Sequence, residues 1–219
     1  MSAWDILWDQ RDQLLAGFAN TLGLFAIGVV GSFLLGALVA YHMHTGRRAS
    51  RQLLHAYVDG MRMLPFLIYA YLLYYGLPSL GLKLDAWTAG LIALVSYHAA
   101  YVGEILRGAW ASLPRGQTEA GLAHGLFGYR LYRRLILPQL VMRTGPILGN
   151  QAIICLKDTA FLMIITVVEL TAAASSVQSI YFIPFEAFVV AIALYWVVSL
   201  GIEGVVALVG RYARRRQLA

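Results

Sequence analysis

The chain has 219 residues, 60% of them hydrophobic and only 13% charged, against roughly 25% charged in soluble globular domains. Its formal net charge is +6, and its single cysteine, Cys155, excludes an intrachain disulfide or a cysteine-cluster metal site. Runs free of Asp, Glu, Lys and Arg cover 13–46, 63–82, 86–103 and 187–202, which excludes a soluble core built from amphipathic elements with polar faces.

The N-terminal stretch carries Asp5, Asp9 and Asp12 against Arg11, the wrong balance for the basic start of a signal peptide. A membrane-spanning helix needs ~20 mostly apolar residues. Five are predicted, at about 14–43, 53–77, 87–112, 140–168 and 185–210, so the reading is an all-α integral membrane protein with one transmembrane domain over 1–219. In the first span Gly28, Ser32, Gly36 and Ala40 form a small-residue stripe. Such a stripe lets another helix approach closely, either within the chain or at a subunit interface. Pro65 and Pro146 are expected to kink or break spans two and four. Tyr69, Tyr71, Tyr74 and Tyr75 read as an interfacial aromatic belt.

Basic residues divide unevenly between the two sides. Arg47, Arg48 and Arg51 follow span one; Arg107, Arg115, Arg130, Arg133, Arg134 and Arg143 surround the loop after span three; Arg211, Arg214, Arg215 and Arg216 follow span five. Those are 13 of the 17 basic residues, while only Arg11 and Lys83 fall on the other side. Positive loops stay in the cytoplasm, which puts the N-terminus outside and the C-terminus inside. Lipid headgroups, not nucleic acid, are then the neighbours of these arginines.

The loop over 113–139 is the most patterned segment. Thr118 is predicted as an N-cap, with Glu119 in the first turn where the positive helix end favours a carboxylate. The chain is expected to break near Gly125 and Gly128, to form a second helix over Leu131 and Leu135, and to stop at Pro138. Glu119-Ala120-Gly121, then Gly125 after three residues, then Leu135-x-Leu137-Pro138 after nine more, resembles the E-A-A coupling loop of ATP-binding-cassette importer permeases. The resemblance extends over Tyr101, Glu104, Arg107-Gly108, Gly116-Gln117, Pro138-Gln139, Pro146, Asn150-Gln151 and Lys157-Asp158-Thr159, and narrows the family to polar amino acid permeases. Departures are Gly121 for the second alanine, Leu135 for isoleucine, Met63-Leu64 for Gly-Thr before Pro65, Asp59 for glutamate, and an arginine displaced to Arg143.

The resemblance implies that Glu119, Ala120, Gly121, Gly125, Leu137 and Pro138 couple the chain to separate ATPase subunits. It also implies two such subunits, an identical or sister permease, and an external substrate-binding protein, all at a bacterial inner membrane. The chain has no G-x-x-x-x-G-K-[ST] phosphate loop, so ATP is expected to be used by the partner and no cofactor held here. Ionisable groups at membrane depth mark transport paths, so Asn150, Lys157, Asp158 and Thr159 are path candidates for a zwitterionic substrate, against a purely structural role. Asp59 and Arg62, three residues apart, form a further candidate pair, and Glu104 with Arg107 repeats that spacing. The five histidines share no ligand spacing and no nucleophile constellation appears, so neither a metal site nor a catalytic residue is expected.

Overall fold

The computed structural model describes residues 2–217, with side chains through Arg211, so Arg214, Arg215 and Arg216 of the topology reading lie outside the described side chains. Among the described residues every regular element is helical: α1 (Ala3–Asp9), α2 (Arg11–Thr45), α3 (Arg48–Met63), α4 (Phe66–Tyr71), α5 (Ala86–Ala111), α6 (Arg115–Ala123), α7 (Gly128–Leu131), α8 (Leu137–Asp158), α9 (Leu170–Tyr181) and α10 (Pro184–Gln217). Four helices among the described residues are long and apolar enough to cross a membrane, and a bent pair makes a fifth. The 35 residues of α2 reach about 52 Å at 1.5 Å per residue, well past a hydrocarbon core of ~30 Å.

Span two breaks at Pro65, as the sequence suggested. Pro65 is extended at φ −68, ψ 130, and the helix breaks there, between Arg48–Met63 and Phe66–Leu80. A proline has no N–H to continue the ladder, and its ring pushes the preceding residue out of the helical region. Span four corrects two expectations. Helix runs through Gly128–Ile165, so Pro138 does not stop it, and Pro146 lies inside α8 without a break. The π-helical turn Tyr132–Ile136 ends with the Leu137 N–H on the Tyr132 carbonyl, a wider loop that makes room for the proline that follows. The same device recurs at Leu72–Gly76, again directly before Leu77-Pro78.

The chain divides into two compact units. The first comprises 2–30, 64–95 and 153–202. Its core joins Leu7, Leu14, Leu170, Ala173, Ala174, Val177, Ala187 and Ala191. Here lies α9, an element absent from the predicted spans because its 12 residues, LTAAASSVQSIY, are too few to cross a bilayer. Its N-cap is the fully buried Glu169, whose carboxylate accepts from the backbone N–H of Thr171 at 2.9 Å and Ala172 at 2.7 Å, and from the Tyr195 hydroxyl at 2.8 Å. The Leu170 N–H donates to Thr21 Oγ1 at 3.0 Å, and Asn20 Nδ2 donates to the Val168 carbonyl at 2.9 Å. In the same unit a Cβ on Gly28 would meet Cys155 Sγ and Leu94 Cβ at 3.4 Å.

The second unit comprises 31–63, 96–152 and 203–217. Its main core joins Ala37, Ala40, Val102, Leu106, Trp110, Leu113, Leu131, Tyr132, Ile136 and Leu140. A Cβ on Gly36 would come within 2.7 Å of Val102, and one on Gly103 within 2.9 Å of Val39. Helices α2 and α5 therefore meet backbone to side chain, and the small-residue stripe of span one serves internal packing. The strongly amphipathic α3 lays Leu54, Tyr57, Val58 and Met61 against Val39, Met43 and Ala100.

Candidate functional site

The segment over 113–139 is a short helix standing on a packed base. Pro114, at φ −57, ψ 134, is the N-cap of α6, so Thr118 lies inside the helix and not at its cap as the sequence suggested. The fixed φ of proline pre-sets the residue before the first helical turn. At its other end α6 closes with the Gly125 N–H on the Leu122 carbonyl at 2.9 Å and the Leu126 N–H on the Gly121 carbonyl at 3.0 Å, the bond pair of a Schellman cap. That cap needs a left-handed residue, and Gly125 supplies it at φ +75. Gly128, at φ +53, then starts the helix that runs into α8.

Two departures from the E-A-A pattern touch each other. A Cβ on Gly121 would lie 2.4 Å from Leu131 Cδ1 and 2.7 Å from Leu135 Cδ2, so the missing methyl makes room for the leucines that face it. Gln139 Nε2 donates to Gln117 Oε1 at 3.3 Å, joining α6 to α8. Beneath them Tyr132, 2% exposed, donates its hydroxyl to the Ala37 carbonyl of α2 at 2.8 Å and stacks on Trp110 with ring centres 4.9 Å apart. His44 stacks on the same indole at 3.9 Å.

Glu119 and Ala120 are exposed, Gly121 is buried, and Leu137 and Pro138 belong to the first turn of α8. Glu119 borders a cleft of about 360 Å³ lined by His44, Trp110, Ala111, Leu113, Arg115 and Thr118. The outcome is a helix with an outward carboxylate, fixed at both ends, on a base of stacked aromatics.

The path candidates separate by face. Asn150 and Lys157 are exposed, two turns apart on one side of α8, whereas Asp158 and Thr159 are buried. Thr159 begins a 3-10 turn through Ile165, and its hydroxyl donates to the Leu156 carbonyl at 2.7 Å. On α3, Asp59 is exposed, while Arg62 reaches the Glu104 carboxylate of α5 at 3.9 Å. Glu104 also accepts two hydrogen bonds of 2.7 Å from Arg107, as their spacing suggested.

A family model described as binding-protein-dependent transport system inner membrane component matches residues 32–215. The chain belongs to that family. It is thus a multi-pass inner-membrane permease subunit of an importer and not itself a catalytic enzyme. The chain is 32% identical to the probable glutamine ABC transporter permease protein GlnM of Bacillus subtilis, over 89% of this chain and 90% of the relative. It is 30% identical to the glutamine transport system permease protein GlnP of Escherichia coli K12, over 90% of this chain and 91% of the relative. A crystal structure of an amino acid ABC transporter with histidines superposes with a TM-score of 0.83 at 29% identity, covering 94% of this chain and 96% of that one.

Within this permease, three features escaped the sequence reading. The His44–Trp110–Tyr132 stack draws on three separate segments, and nothing in their local patterns joins them. The Gln117–Gln139 bond connects the two halves of the loop motif, 22 residues apart. Arg62 finds its ion-pair partner on another helix and not one turn away.

Proposed function

We propose that this permease moves polar amino acids, or close derivatives, inward across the membrane, driven by ATP hydrolysis on two separate ATP-binding subunits. Helix α6 docks in a groove on such a subunit with Glu119 as its electrostatic anchor. Ala120 lies at the contact, and Gly121, Gly125, Leu137 and Pro138 hold the bent shape. The observation that carries this reading is the exposed Glu119 on a helix that starts at Pro114, ends in a Schellman cap and is rooted by the buried Tyr132. The clustering of arginines on the α6 side supports a cytoplasmic position for the loop, with the N-terminus outside and the C-terminus inside.

Asn150 and Lys157 face the substrate path, a second permease of the same or a sister chain completes its wall, and an external binding protein delivers the substrate. Asp158 and Thr159, buried behind them, hold the path's shape. Asp59 and Arg62 flank its cytoplasmic end. The amino acid relatives support this substrate class. Reconstituting the chain with its ATPase subunits and binding protein in proteoliposomes tests the reading. Glu119→Lys should insert and fold normally yet lose at least about tenfold of ATP-dependent uptake, since reversing a docking charge costs several times the energy of a tenfold change. Full uptake by that variant would remove the docking role, and ATP-independent uptake by the chain alone would make it a stand-alone carrier.

A further inference from the structure

Three contacts converge on Arg62, the last charged residue before span two breaks. Its guanidinium is 3.9 Å from the Glu104 carboxylate, its Cζ lies 6.0 Å from the centre of the Tyr101 ring, and its own carbonyl accepts the Tyr101 hydroxyl at 3.5 Å. Both partners belong to α5. Glu104 is itself fixed by the two 2.7 Å bonds from Arg107, and a forked guanidinium–carboxylate pair sets orientation as well as distance. One turn earlier on α3, the Tyr57 hydroxyl donates to the Ser96 carbonyl of α5, and Val58 is fully buried beside Ala100. The last two turns of α3 are thus strapped to α5 by polar groups outside and apolar groups beneath.

This strap lies between two other features of the chain. Three residues after Arg62 comes Pro65, where the helix breaks. Seven residues after Glu104, α5 ends at Ala111, and the chain enters α6 through Pro114. An exposed ion pair contributes little to stability by itself, and with side chains 42% and 26% exposed this one is only partly shielded. Its geometry matters more than its energy: it ties the end of α3 to the helix that carries α6.

We propose that Glu104 is a positioning residue of the transport cycle. With Arg62 and Tyr101 it clamps α3 to α5, so that displacement of α6 by the ATPase subunit arrives undiminished at the proline break of span two. Rigid elements hinged at a few residues are the usual means of such transmission. The inference rests on the docking role given to α6. Without the clamp, α5 can move while α3 lags, and hydrolysis proceeds with less substrate moved per ATP.

The test measures uptake and ATP hydrolysis together in proteoliposomes holding the complete complex. Glu104→Gln should lower uptake per ATP hydrolysed by about tenfold, in the range that coupling residues remote from both ligands can reach, with assembly and hydrolysis retained. Glu104→Asp should recover most of the loss. Arg62→Gln should reproduce the defect, and the double variant should be no worse than either single one, because both remove the same contact. An unchanged ratio in Glu104→Gln, or defects that simply multiply in the double variant, would overturn the proposal. Should Glu104→Gln fail to assemble, Tyr101→Phe decides instead: it removes one hydroxyl, and an uptake-to-hydrolysis ratio lowered about twofold is expected, an unchanged one being contrary. Absence of ATP-driven uptake in the wild-type complex would sink the docking reading itself, which the wild-type control separates from a failure of the clamp.

Discussion

Gly125 holds φ at +75 because α6 must end abruptly and return its chain towards the packed base. A left-handed residue with a Cβ costs roughly 1–2 kcal/mol, so Gly125→Ala should destabilise the loop by about that much, and Gly125→Asn, whose side chain tolerates this region, by less. Thermal denaturation of the purified permease reads the difference, with uptake falling in the same order. Gly125 was legible in the sequence, since a glycine at a helix end announces such a cap. Gly121 was not. Read alone it appears to weaken a helix by up to ~1 kcal/mol relative to alanine, and only the fold reveals Leu131 and Leu135 facing it. Helical residues were assignable to faces, but which residues meet across elements depends on tertiary packing that no local pattern encodes.

Prolines mark the places where helices depart from regularity, but three outcomes follow from one residue type. Pro65 breaks its span, Pro138 follows a π-helical turn, and Pro146 is carried inside α8. The deciding factor is what surrounds the freed backbone, which lies outside the sequence pattern. Helix α9 was missed for a different reason: spans are found by length, and a 12-residue helix rich in alanine and serine gives no such signal. Its stability rests on Glu169, which the structure buries as an N-cap. Removing such a cap costs ~1 kcal/mol, up to about 2. Glu169→Ala should therefore lower the melting temperature of the permease while leaving affinity for the external binding protein unchanged, as titration of the reconstituted complex would measure. Weakened binding at full stability would contradict the capping role.

At the scale of the whole molecule, composition alone announced a membrane protein, and the long apolar runs located three of the spans to within a few residues, while the helix of span four begins at Gly128, twelve residues before its expected start. The fifth was legible in extent, and its break at Pro65 was announced by the proline itself. The loop was recognisable by its spacing of glutamate, glycines and proline. Its root was not, because Tyr132, Trp110 and His44 come together only when α2, α5 and the start of span four pack. The chain combines a proline break in one span with a loop helix that ends in a Schellman cap above stacked rings. The most direct measurement is photo-crosslinking in native membranes, with a benzophenone amino acid in place of the exposed Ala120 and, as a control, of the exposed Leu200. Adducts to an ATP-binding subunit from position 120, and none from position 200, are the expected result. Adducts from position 120 to lipid alone, or to a protein on the outer face of the membrane, would contradict coupling through α6.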